Sequence, residues 1–200
     1  MKRVTLTAGI FLVLAFGATA CGDGETEAAS NAPAAPAASE ASAGENFGPA
    51  CSAVPSEGPG SFNGMAADPV ATAASNNPVL STLVTAVKKA GLVDTLNSAQ
   101  DVTVFAPTND AFAKIPEADL NKVLADQKTL TGILTYHVVE GRKTPADLAS
   151  GSFTTLQGGT VTAKGSGDSY TVNGANVVCG NVQTGNATVY IIDTVLMPAK

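Results

Sequence analysis

The hydrophobic periodicity of the chain changes character at Gly141, and that change limits the fold more than any other feature. Before it, apolar residues recur at three- and four-residue spacing: Leu80, Leu83, Val84 and Val87, then Leu120, Val123 and Leu124, then Leu130, Ile133 and Leu134. This is the spacing of one helical face. Local punctuation agrees. Asn77-Pro78 supplies a cap and a first-turn proline, and Gly91 ends the run that follows. Shorter helical segments are expected over 69–75 and 92–97. Residues 102–106 are β-branched and apolar and predict a strand, and Pro107-Thr108-Asn109 then caps a short helix through Phe112 and Lys114. Pro116 opens the next helix. Beyond Gly141 comes a short turn at 144–147. β-prone runs then cover 153–156, 161–164, 169–173, 177–179 and 187–193, separated by Gly158-Gly159, 165–168 and Gly185-Asn186. Helices followed by strands predict an α+β domain rather than the alternating order of a parallel nucleotide-binding sheet.

The folding segment does not begin at the N-terminus. Met1, Lys2 and Arg3 form a positive start, and residues 4–16 are nearly all apolar. Thirteen helical residues reach only about 20 Å, short of the roughly 30 Å hydrocarbon core, so residues 1–20 read as an export signal. Ala18-Thr19-Ala20 precedes Cys21, in the manner of a bacterial lipobox whose cysteine is lipidated; an ordinary cleavage site is the alternative. Residues 21–46 hold Ala, Ser, Glu and Pro and no large apolar side chain, so they cannot offset the entropy of ordering. They read as a flexible tether. An irregular Gly/Pro/Ser-rich arm over 47–65 leads to the domain proper, 66–198. With Cys21 lipidated, Cys51 and Cys179 remain as a pair. In an oxidising compartment a disulfide is the default for them, with two buried free thiols as the alternative. Such a bridge closes a loop of well over a hundred residues, worth about 5 kcal/mol in the chain-entropy model.

Composition narrows function. A net charge of −6 leaves no electrostatic footprint for nucleic acid. One histidine, His137, cannot assemble a histidine metal site or an extended proton relay. No Cys-x-x-Cys, Gly-x-Ser-x-Gly, Walker or His-Glu-x-x-His pattern occurs. The expectation is therefore no catalytic residues, no metal and no cofactor.

Three segments carry a family likeness. Residues 103–112, Thr-Val-Phe-Ala-Pro-Thr-Asn-Asp-Ala-Phe, resemble the first signature of fasciclin (FAS1) domains. Tyr136-His137-Val138-Val139 resembles that family's central motif, and residues 189–198, Val-Tyr-Ile-Ile-Asp-Thr-Val-Leu-Met-Pro, its second signature. Their order matches the family, and the region is especially similar to secreted and lipid-anchored mycobacterial members. Those carry a cysteine near the domain start and another in a stretch like Val177-Val178-Cys179-Gly180. The resemblance implies a FAS1 fold, a wedge-shaped β-sandwich with helices packed along one edge. It also implies adhesion or ligand binding at a cell surface, by a monomeric domain held to the outer face of the bacterial membrane through its N-terminal lipid, with part of it released.

The motif residues also have structural readings. Thr108 or Asn109 can accept the orphan N–H groups of the following helix, while Asn109 and Asp110 are candidate contacts for a surface or extracellular protein. Asp193 is expected to fix a turn. Read as a strand, residues 136–139 place Tyr136 and His137 on opposite faces. The resemblance associates the pair with adhesion, which makes Tyr136 and His137 both candidate partner contacts; of the two, His137 is read as structural, and Tyr136 is left as the contact. A carrier of a small apolar ligand, or a surface hydrolase built from converging carboxylates, are the alternative functions.

Overall fold

Six consecutive buried residues form β1 (Val102–Pro107), and six more form β7 (Ala187–Ile192). A strand covered on both faces has no polar side, which is why these runs are apolar except for the buried Thr103 and Thr188. The computed structural model describes residues 45–198. The expected export signal over 1–20, the expected lipid site at Cys21 and nearly all of the expected 21–46 tether lie outside the described residues.

β1 and β7 pair in parallel, with Val102 opposite Ala187 and Pro107 opposite Ile192. β2 (Val138–Glu140) flanks β1 antiparallel, and β6 (Ala175–Gln183) flanks β7 antiparallel. β5 (Ser169–Val172), β4 (Thr160–Ser166) and β3 (Ser152–Thr154) complete the order β2-β1-β7-β6-β5-β4-β3. Register shifts between Val177 and Val182 bend β6, and the outer strands curl back towards β2. Val139 bridges Thr155, and the Leu156 N–H donates to the Val138 carbonyl at 2.8 Å. The wedge is thus nearly closed.

Side-chain alternation along the two central strands divides the interior in two. Val102, Val104, Ala106, Ala187, Val189 and Ile191 face the helices. Phe105, Tyr190 and Ile192 face the opposite core with Val161, Val172 and Leu148. The helical layer comprises α1 (Phe62–Ala67), α2 (Val70–Ser75), α3 (Ser81–Ala90), α4 (Val93–Ser98), α5 (Asn109–Ala113), α6 (Glu117–Ala125) and α7 (Gln127–Tyr136). Gly91 ends α3 in the left-handed region at φ 69°, where its lack of a Cβ matters. The turn expected over 144–147 is a short helix, α8 (Pro145–Leu148), closed by a capping box between Thr144 and Asp147.

Two sequence expectations need correction. The arm over 47–65 is not irregular throughout: Pro49–Ala53 is a 3-10 turn, and α1 starts at Phe62. Its sequence, Phe-Asn-Gly-Met-Ala-Ala, has weak propensity. Ser61 capping the Gly64 N–H and burial of Met65 hold it helical. Residues 136–139 are not one strand either, because α7 runs through Tyr136 and His137 is its C-cap.

The start of the described chain is tied to the sheet. Phe47 exchanges both backbone hydrogen bonds with Gly180, at 3.3 and 2.7 Å, and its ring lies 5.0 Å from that of Tyr170. A Cβ on residue 180 would sit 2.2 Å from the Phe47 ring, so only glycine fits beneath it. Cys51 and Cys179 are joined, with Cα atoms 4.9 Å apart.

Candidate functional site

The three signature segments meet on adjacent strands: β1 leads into α5, the α7–β2 corner lies beside it, and β7 leads into residues 193–196. His137 stands at the junction, 2% exposed. Its Nδ1–H donates to the Ile133 carbonyl at 2.8 Å, one of the carbonyls left open at the end of α7. Its Nε2 accepts the Leu196 N–H at 2.9 Å. One nitrogen donating and the other accepting is the neutral imidazole. Burial lowers the ring pKa to about 4, and the bond to Ile133 offsets only part of that. The His137 carbonyl also accepts the Phe105 N–H at 2.8 Å. One residue therefore ties α7, β1 and the C-terminal segment together.

Tyr136, the ring that a strand reading turns outward, is 5% exposed. At the end of a helix, successive side chains differ by about 100° rather than 180°, so both rings can enter the interior. The Tyr136 hydroxyl donates to the Thr160 carbonyl at 2.8 Å and accepts from Asn173 Nδ2 at 2.9 Å. Neither ring of the pair is presented to solvent.

Thr108 caps its own helix, accepting the Ala111 N–H at 3.1 Å. Asn109 does something that sequence reading misses. Its Oδ1 accepts the Thr82 N–H at 2.9 Å and the Ser81 hydroxyl at 3.2 Å, while its Nδ2 donates to the Pro78 carbonyl at 3.0 Å. The α3 N-terminus has no side-chain cap of its own, and Asn109 supplies one from 27 residues away. Nothing in the local sequence signals it. Asp110 is exposed in the first turn of α5.

Asp193 accepts from the Asn176 N–H and Nδ2, at 2.9 and 3.0 Å, from the Thr194 hydroxyl at 3.0 Å and from Lys114 Nζ at 3.3 Å. Burial alone would raise its pKa, but these hydrogen bonds together bring it down to about 2. It ties the end of β7 to the start of β6 and to α5, more than the turn expected of it. Asn186 is 6% exposed. It receives the Val70 N–H and donates to three carbonyls at the end of α4.

An apolar cavity of about 60 Å³ lies between α2, α3, α4 and the helix-facing side of β1 and β7, lined by Val70, Leu83, Val87, Leu96, Val104 and Val189 among others. An open groove between α3, α5 and α6 is floored by Phe112, Leu120 and Leu124, with Ser81, Thr82 and Thr85 along it. Among the described residues, no group of three or more His, Cys, Asp or Glu side chains could hold a metal ion.

Comparison with known proteins agrees with this geometry. A fasciclin domain model matches residues 78–198. The chain is 52% identical over 166 residues to the immunogenic protein MPB70 of Mycobacterium bovis, covering 79% of this chain and 85% of that one. It is 55% identical over 146 residues to the cell surface glycolipoprotein MPB83 of the same species, covering 70% and 66%. A solved structure of a FAS1 domain pair from the insect cell adhesion molecule fasciclin I superposes with a TM-score of 0.50 at 25% identity, over 60% of this chain and 45% of that one.

Proposed function

The chain belongs to the fasciclin domain family, and on that premise we propose that it is a surface-displayed binding module, held to the membrane by a lipid on Cys21 and without catalytic activity of its own. The observation that carries this reading is the 55% identity to a cell surface glycolipoprotein, in a chain whose own N-terminus has the pattern of an export signal followed by a cysteine. The site geometry supports it. His137 is neutral and enclosed, and Asn109 and Asp193 are committed to internal hydrogen bonds, so the signature residues brace the wedge rather than meet a substrate. Of the four residues proposed from sequence as partner contacts, Asp110 has the exposed side chain. It sits at the start of α5, and α5 forms one wall of the groove floored by Phe112. We assign the contact with a surface or extracellular protein to this side of the domain.

Fractionation of intact cells tests the display. Wild-type protein is expected in the detergent phase, and Cys21→Ala is expected to deplete the membrane-bound form. Unchanged anchoring of that variant would sink the lipid assignment. A photo-reactive amino acid at position 110 is expected to capture an envelope or extracellular protein on living cells, and the same probe at Asp168, in the β4–β5 turn, is expected not to. Equal capture at both positions would refute the assignment to this side.

A further inference from the structure

The groove between α3, α5 and α6 is short, apolar along its floor and charged beyond each end. It holds about 310 Å³, twice the roughly 150 Å³ that accepts a benzene ring, so it takes two large apolar side chains. Ser81 and Thr85 on one wall, and Leu120 and Leu124 on the other, are each four residues apart, about 6 Å along a helix. That is the separation of one i, i+4 pair on a partner helix. The α6 wall is only half covered: none of its residues is fully buried, and Leu120 and Leu124 are half-buried.

The walls offer a partner no free backbone bond. The Thr82 N–H, open at the start of α3, is taken by Asn109 Oδ1, and the Ser81 hydroxyl donates to the same oxygen. The Thr85 hydroxyl donates to the Ser81 carbonyl at 3.0 Å. None of the lining residues belongs to a strand. An extended peptide finds no main-chain partner here, whereas a helix brings its own bonds.

Charge sets the direction. Asn109 joins α5 to the start of α3, and Gln127 Nε2, just past α6, donates to the Ala90 carbonyl at the end of α3, at 3.4 Å. α3 and α6 therefore run the same way. Before the groove come Asp110, in the first turn of α5, and Glu117, in the first turn of α6 and one turn ahead of Leu120. Beyond it come Lys88 and Lys89, one turn after Thr85, and Lys128 at the start of α7. All five are exposed, and among the described residues none forms an ion pair. The other charges on and beside α6 are committed. Asp119 pairs with Lys122, and Asp126 accepts from the Lys128 and Thr129 N–H groups and the Thr129 hydroxyl. The groove is thus acidic before its first residues and basic after its last. A helix favours acids in its first turn and bases in its last because of its own dipole. Such a helix complements both ends only when it lies antiparallel to α3.

We propose that the groove receives one amphipathic helix of the surface protein, which inserts two apolar side chains four residues apart and lies antiparallel to α3. Its basic C-terminal turn sits over Asp110 and Glu117, and its acidic N-terminal turn over Lys89. This rests on the assignment of the partner contact to this side of the domain and names the kind of segment that makes it.

The probe is a capped, Ala-rich helical peptide of about 16 residues, with two Leu four residues apart, Glu in its first turn and Arg in its last. Methyl NMR of the full chain follows its binding. Saturable shifts are expected at Ala86, Leu120 and Leu124. A peptide with the Glu and Arg positions exchanged is expected to bind at least fivefold more weakly, and Asp110→Lys combined with Glu117→Lys, both at exposed sites, is expected to reverse that preference. Thr85→Trp, which fills the groove, is expected to abolish binding of both peptides; should it fail to fold, the charge reversal decides. A nitroxide at the peptide N-terminus is expected to broaden the Lys89 amide and not that of Glu117, and the opposite pattern would overturn the antiparallel direction. No saturable shift, shifts confined to residues away from the groove, or equal affinity for the two peptides would overturn the proposal. Capture from position 110 on cells by a chain that binds neither peptide overturns this inference alone. Peptide binding as expected without any capture overturns the assignment to a surface protein and leaves the specificity of the groove standing.

Discussion

Mild acid should loosen this domain through one ring. His137 is neutral when folded, with a pKa lowered to about 4 by burial, against an ordinary value of 6.5. Between those two values the unfolded chain binds a proton that the folded chain refuses. Stability therefore rises with pH across this window: it is fully present above pH 6.5 and is lost as pH falls towards 4. At about 1.4 kcal/mol per pH unit, the loss comes to about 3 kcal/mol. That is a large share of the 5–15 kcal/mol typical of a domain. Urea denaturation at intervals from pH 7.5 to 4 measures it, and NMR of the ring nitrogens reads the tautomer and the titration directly. His137→Phe keeps a ring in place but leaves the Leu196 N–H and the Ile133 carbonyl unpaired. It should cost about 2–4 kcal/mol at pH 7.5 and flatten the pH dependence above pH 4. The contribution of Asp193, whose pKa is held at about 2, is lost only at lower pH, as pH falls below its ordinary value of 3.8, so the two windows separate. A ring that titrates near 6.5 in the folded protein, or a variant that keeps the wild-type slope, would refute the reasoning.

Three further outcomes can be checked on the same preparation. Reduction of the Cys51–Cys179 bond, or Cys179→Ala, should lower stability by roughly 2–5 kcal/mol, and the native oxidised protein should yield no alkylated thiol at either position. Asn109→Ala removes the cap that α5 lends to α3 and should cost about 1 kcal/mol, with loss of hydrogen-exchange protection at the Thr82 amide. Gly180→Ala should destabilise the fold by driving a methyl group into the Phe47 ring, and Phe47→Ala should relieve most of that added cost in a double-mutant cycle; additive losses would show that the ring does not sit there.

Local signals in the chain were sufficient for most of the elements. The Gly91 stop, the Thr108 cap, the Pro116 start and the strand at 102–106 depend on residues within one or two turns of one another, and such short-range chemistry works the same in any fold. The α+β class and the fasciclin signatures could be read for the same reason. Where the local signal was weak, the reading failed: α1 is helical because Met65 finds a core to enter, not because its sequence prefers a helix. Tyr136 and His137 looked like strand residues by composition, yet the α7 stripe continued through them, and the direction of each ring followed from that helix end.

What only the tertiary structure decided involves partners distant in sequence. No pattern in residues 102–107 names residues 187–192 as their parallel neighbour, or Asn109 as the cap of a helix that began 28 positions earlier. The same holds for His137, whose two ring nitrogens find one partner four residues back and the other 59 residues on. The sequence alone determined a segment over 21–46 with no large apolar side chain to bury, and one domain of helices followed by strands. The packing decided that its only histidine is a neutral brace and that the helices leave an apolar space beneath α4. Such features are set by which surfaces meet once the loops close, and a one-dimensional pattern does not contain that information.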